Sequence, residues 1–98
     1  MVNQIEWSDK SKAQVKLIIT FLRTNFPEGI VEKFKLDIEG KIIYIVVNPT
    51  VGRKVAKTKI IQFVNFSKHY QLFYRVKGST IYILAIFDTR QNPSKRPF

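Results

Sequence analysis

Arg90, Arg75 and His69 are the side chains of this sequence best suited to reaction chemistry, each to a different part of it. Arg90 stands in the polar cluster Asp88-Thr89-Arg90-Gln91-Asn92-Pro93, which follows the apolar run Ile81 to Phe87. A guanidinium is always charged and grips a phosphate through two parallel hydrogen bonds. The same fork can instead close on Asp88 or cap a carbonyl. Arg75 would share a strand face with Gln71 and could offset phosphate charge, but an arginine scarcely deprotonates and is a poor base. His69, between Lys68 and Tyr70, offers the side chain that ordinarily titrates nearest neutral pH. At the start of a strand it can equally be a plain turn residue. Tyr74 and Tyr82 could donate protons, although aromatics at alternating strand positions also serve as core or sheet surface.

A second candidate site is electrostatic. Arg53, Lys54, Lys57 and Lys59 place four cations within seven residues, with no acid among them. Neutralising four phosphates of single-stranded RNA would give a salt slope of about −2.8. A solvated loop or a protein-docking site would have the same composition. Lys68, Lys95 and Arg96 add to the positive surface, and the charge of the whole chain leans the same way. Residues 1–47 carry seven bases against six acids, whereas residues 48–98 carry ten against Asp88 alone. Of the net +10, then, +9 lies in the second half, which suits a polyanion or an acidic protein partner.

Composition excludes several classes of function. There is no cysteine and one histidine, so disulfides, thiol catalysis, Cys-type zinc and a His-rich metal site are ruled out. No cofactor is called for, and a domain of this length would have a radius of gyration of about 13 Å, with little room for a deep cofactor cavity. An apolar content of 45% over 98 residues suits a single domain, residues 1–98, with one core. The start "MVNQIEWSDK" lacks the pattern of a signal peptide, and no apolar run approaches the roughly 20 residues that span a bilayer. The expectation is a soluble cytoplasmic domain with no membrane partner.

These residues must be positioned by a short list of elements. Ile5 to Trp7 reads as a first strand, with Trp7 a core anchor. Ser8 or Asp9 offers an N-cap for a helix whose apolar stripe is Ala13, Leu17, Phe21 with Ile18 and Leu22, opposite Lys12, Lys16 and Arg23. Pro27 fits the first turn of a second helix, with Glu28 near its positive end. Gly40 costs a helix about 1 kcal/mol, and the β-branched residues 42–47 taken alone could form a strand. Val31, Phe34, Ile38, Ile42 and Ile45 keep helical spacing across the glycine, so the spacing predicts a continuous helix ending at Asn48, Pro49 and Gly52. Three β-rich runs follow the basic loop: Ile60 to Phe66, Tyr70 to Lys77 and Thr80 to Phe87. The two-residue break Gly78-Ser79 predicts a tight hairpin. Tyr70, Leu72, Tyr74 and Val76 would share one face and Gln71, Phe73, Arg75 and Lys77 the other, with one face packed on the helices and the other looking outward. The fold class is α+β: a short N-terminal strand and two helices packed on an antiparallel sheet of three to four strands.

This order of elements carries "IEWS" followed by Ala13, then "NPTVG", "HYQLFYRV" and "IYILAIFDTRQNPSK". With those motifs the chain resembles the RelE/ParE superfamily of bacterial type II toxin–antitoxin toxins over nearly its whole length. The resemblance implies helices on one face of a curved sheet, a target met by the other face and its loops, and a cognate antitoxin that wraps the toxin with an otherwise disordered, often acidic or amphipathic segment. Two activities are implied. RelE-like members are mRNA interferases that cut messenger RNA on the ribosome; ParE-like members act on DNA gyrase without cutting RNA. A degenerate toxin that keeps only antitoxin binding is a third reading. Cleavage through the 2′-hydroxyl needs a proton acceptor, a proton donor and cations for the phosphorane. Arg90 matches the position at which RelE-like nucleases place a transition-state arginine. The other positions depart from the pattern: Gln71 stands where those enzymes carry an arginine after Tyr70, and Gln62 and Val64 stand where they carry lysines. Under the nuclease reading, Arg75 would substitute and the basic loop would position RNA.

Overall fold

The computed structural model describes residues 2–98. After strand β1 (Gln4–Trp7) come helices α1 (Asp9–Asn25) and α2 (Glu28–Val47), then β2 (Arg53–Lys54), β3 (Gln62–Phe66), β4 (Tyr70–Lys77) and β5 (Thr80–Asp88), with a 3₁₀ turn over Pro93–Lys95. The strands form one sheet in the order β1-β5-β4-β3-β2. β1 runs parallel to β5, and the other neighbours are antiparallel. The sheet therefore has five strands. The extra one comes from the basic loop, where Arg53 and Lys54 pair with Phe63 and Gln62.

Ser8 is the N-cap of α1: its Oγ accepts the Ser11 N–H at 3.0 Å, satisfying one of the helix's orphan donors. The helix stops at Asn25, and Phe26 is extended, as expected of a residue before proline. Pro27 lies one position earlier than its sequence suggested, as the extended N-cap of α2 rather than inside the first turn. α2 then continues through Gly40 to Val47, so the helical spacing outweighed both the glycine and the β-branched run.

Only part of the expected α1 stripe faces the core. Ile18 and Leu22 pack inward, but Leu17 is 70% exposed, Phe21 is 52% exposed, and Ala13 is exposed as well. The inward face is Ser11, Val15, Ile18 and Leu22, and its polar member explains the rotation. β5 carries a bulge: Phe73 pairs with Ala85 and Tyr74 with Ile83, leaving Leu84 without a partner. Backbone groups freed there need side-chain partners. Ser8 Oγ donates to the Leu84 carbonyl at 3.0 Å, and Ser11 Oγ lies 3.1 Å from that of Ile83. The Gln14 side-chain oxygen accepts the Ile86 N–H at 2.8 Å.

The main core lies between the helices and the sheet, where Val31, Phe34, Ile38 and Ile45 of α2 meet Leu72, Tyr74, Ile81 and Ile83. Contrary to expectation, the other sheet face is not simply open. Val55, Ile61, Phe73, Ala85 and Phe87 form a second buried cluster there, against which Phe98 packs. The bulge makes this possible by turning Ala85 and Phe87 onto the outer face while Ile83 and Ile86 stay inside. Each fully buried side chain of this size contributes about 1.5–3 kcal/mol.

Candidate functional site

Where β5 ends, Asp88 still pairs with Tyr70, the first residue of β4. Arg90 turns back onto that pair. Its Nε and Nη2 donate to the two Asp88 carboxylate oxygens at 3.0 and 2.8 Å, and its backbone N–H donates to Oδ1 at 2.9 Å. Nη2 also lies 3.5 Å from the Tyr70 hydroxyl, and the guanidinium sits 5.9 Å from the Tyr70 ring centroid. Burial pulls the Asp88 carboxyl upward, but the Arg90 fork, its N–H and its charge outweigh that and hold it below the usual carboxylate range. Asp88 in turn raises the Arg90 guanidinium. Burial and the Asp88 charge push the Tyr70 phenol up, against the opposing effect of Arg90.

Two open cavities meet at this pair. One, of about 580 Å³, is lined by the apolar Leu22, Phe26, Ile30 and Phe34 and by Lys33, Lys68 and His69. The second, of about 490 Å³, is lined by Leu17, Ile18 and Phe21 together with Asp88 and Gln91. Tyr70 and Arg90 line both.

The three residues singled out for chemistry are not gathered in one place. His69 and Arg90 share the larger cavity on the helix side of the sheet. The His69 carbonyl is engaged by Thr89, whose N–H and Oγ1 donate to it at 2.7 and 2.9 Å. Arg75 lies on the opposite, outer face of β4, beyond Phe73. Its Nε and the Gln71 side-chain oxygen are buried there without a hydrogen-bond partner. Tyr74 is committed to structure. Its buried hydroxyl accepts the Gly52 N–H and donates to the Pro49 carbonyl, both at 2.9 Å, which fixes the "NPTVG" turn. Tyr82 lies beside Arg75 across the β4–β5 ladder, partly exposed.

The cations divide into three groups. Arg53, Lys54, Lys57 and Lys59 are exposed along the β2 edge, and Lys59 adopts a left-handed backbone (φ 63°). Lys68, also left-handed, lies in the β3–β4 turn at the far end of β3, beside the larger cavity. Lys95 is exposed in the 3₁₀ turn, and Arg96 folds onto the outer face, 4.8 Å from the Phe63 ring centroid and 5.3 Å from that of Phe73. Phe63 is the cross-strand partner of Arg53, so Arg53 and Arg96 both neighbour one aromatic residue.

The model of the family described as "ParE toxin of type II toxin-antitoxin system, parDE" matches residues 5–93. The chain belongs to the ParE toxin family. No curated protein sequence matches this ParE-family toxin. Its fold is similar to that of a chain from the chromosomal ParDE toxin–antitoxin system of P. aeruginosa. That likeness has a TM-score of 0.71 at 20% identity, covering 87% of this chain and 94% of the other. It is also similar to the isolated E. coli RelE toxin, with a TM-score of 0.62 at 10% identity over 93% and 88% of the two chains. Membership of a toxin–antitoxin family implies a cognate antitoxin as partner.

In this ParE-family toxin, the sequence reading missed the cavity-lining residues Leu17, Phe21, Phe26 and Ile30. The first two were assigned to the core. The available signal was the number of apolar residues on α1, more than one buried stripe requires. Nothing local to Tyr70 in the sequence indicated that it would carry Arg90.

Proposed function

We propose that this toxin arrests growth in the ParE-like manner, by binding DNA gyrase without cutting RNA. One observation carries the reading: the candidate catalytic residues fail to converge. Arg90 is neutralised by Asp88 on the helix side, while Arg75 lies on the outer face. In-line cleavage needs base, acid and charge stabilisation within hydrogen-bond reach of one phosphate. Two arginines on opposite faces of a sheet do not meet that requirement; His69 shares a cavity with Arg90 but is separated from Arg75 by the sheet, and Arg90 is already engaged by Asp88. The departures at Gln71, Gln62 and Val64 point the same way. The surface we assign to the target is the outer face and its β2 edge, where Arg53, Arg75 and Arg96 surround Phe63 and Phe73. Cations beside the half-buried Phe63, over a face whose centre at Phe73 is buried, suit an extended polar interface. The test is a supercoiling assay with purified gyrase and the purified chain. Inhibition without degradation of added RNA supports the reading. Unimpaired supercoiling together with RNA cut on programmed ribosomes would replace it with the interferase reading.

A further inference from the structure

Helix α2 is apolar on two opposite sides. Val31, Ile38 and Ile45 are buried in the core, whereas Leu36, Ile43 and Val47, on the side turned away from it, are 67%, 64% and 71% exposed. Gly40 completes this outer stripe, and the spacing of Leu36, Gly40, Ile43 and Val47 is that of a coiled-coil seam. A helix covered on one side only ordinarily carries polar residues on the other. The stripe lines neither of the cavities at Tyr70 and Arg90. We propose that it is the seam along which two copies of this chain pair, with their α2 helices antiparallel across a twofold axis. The pairing is independent of the target named above.

The stripe is symmetric about its own midpoint, as a twofold interface requires. Leu36 with Val47, and Gly40 with Ile43, are both centred between Lys41 and Ile42. Antiparallel helices therefore bring Leu36 onto Val47 of the second copy, and Ile43 onto Gly40 of the second copy. Nothing within one chain calls for that glycine: a Cβ there would meet no atom within 4 Å, and glycine weakens a helix interior. Across the seam it gives Ile43 room. Parallel helices would instead set Gly40 against Gly40 and leave a void between two bulky layers.

Charge also favours a second copy. α2 carries four acids (Glu28, Glu32, Asp37, Glu39) against three bases (Lys33, Lys35, Lys41), so it is nearly neutral in a chain of +10. Lys33 pairs with Asp37 at 2.8 Å and Lys35 with Glu32 at 3.7 Å, while the Lys41 ammonium lies 5.2 Å from the Tyr44 ring centroid. Two copies meet here without setting cation against cation, since Arg75 and Arg96 lie across the sheet on its outer face. A nucleic acid or an acidic peptide finds no excess of cations on this strip. One pair of helices about 30 Å long buries less surface than an obligate dimer, so the dissociation constant is on the order of micromolar.

The test is sedimentation velocity of the purified chain from about 1 to 300 µM. The parent is expected to pass from monomer to dimer over that range. Ile43→Glu and Gly40→Gln are each expected to raise the dissociation constant by about tenfold or more. Gly40→Gln does so even though it replaces a helix-weakening residue. Leu17→Glu, which alters an exposed apolar residue of α1 outside the stripe, leaves the constant unchanged. Thermal melts of each variant separate a lost interface from lost folding. A parent that stays monomeric throughout overturns the proposal, as does a dimer that persists in both stripe variants or weakens equally in Leu17→Glu. A monomeric parent whose binding to the neighbouring gene's product is lost in Ile43→Glu also overturns it, and gives the stripe to that partner instead.

Discussion

Arg90 and Asp88 close a two-point ion pair at the end of β5, with Nη2–Oδ2 at 2.8 Å and Nε–Oδ1 at 3.0 Å. The residue that best matches a phosphate-gripping role is thus already bound to a carboxylate of its own chain. The pair sits half in solvent, Arg90 being 45% exposed at its side chain, so it contributes little to stability and much to geometry. It holds the guanidinium over Tyr70 on the helix side, away from Arg75.

Breaking the pair has a pH signature. Asp88→Asn is expected to lower stability by about 0.5–1 kcal/mol at neutral pH, the upper range for an exposed pair. The folded-state value of Asp88 is lowered, so its contribution is fully present above the unfolded value of about 3.9 and is lost as pH falls through the folded value. Urea melts of parent and variant should differ at pH 7 and converge as the pH falls through the lowered folded-state value.

Gly52 is irreplaceable on steric grounds. A Cβ added there would lie 2.6 Å from the Tyr74 hydroxyl and 2.9 Å from the Gln62 Cβ. Gly52→Ala should destabilise the chain by about 1–3 kcal/mol through overpacking. Tyr74→Phe, which strands the Gly52 N–H and the Pro49 carbonyl, should cost about 1–3 kcal/mol in denaturant melts.

The bulge on β5 depends on α1. Gln14→Met leaves the Ile86 N–H without its acceptor and is expected to cost about 1–3 kcal/mol. Hydrogen exchange at that amide should accelerate in the variant, whereas exchange in β3 should stay slow.

The outer face carries the proposed target contact. Reversing both Arg53 and Arg96 to glutamate should weaken gyrase inhibition by about tenfold, with the effect shrinking at high salt. A titration of supercoiling inhibition at two salt concentrations checks both parts.

The order of elements was legible in the sequence because local signals agreed: the Ser8 cap, helical spacing across Gly40, and the Gly78-Ser79 turn all appear as expected. The strand count was less legible, because Arg53–Lys54 is too short and polar to signal a strand until β3 lies beside it. The α1 face was misread for a non-local reason. Ser11 and Gln14 look like surface residues, yet they point inward to satisfy a bulge more than seventy positions away. The same bulge hid the second core, since it switches the face on which β5 residues emerge. Of the candidate site, the charges were legible and the cavities were not, because these exist only where the α1–α2 hairpin meets the ends of β4 and β5.

The most direct test of the central claim is to induce the chain in a sensitive host and map transcript ends alongside gyrase-linked DNA breaks. Non-nucleolytic action predicts growth arrest with intact transcripts and an accumulation of gyrase-linked breaks. In-frame cuts in messenger RNA that disappear in Arg90→Ala would contradict it.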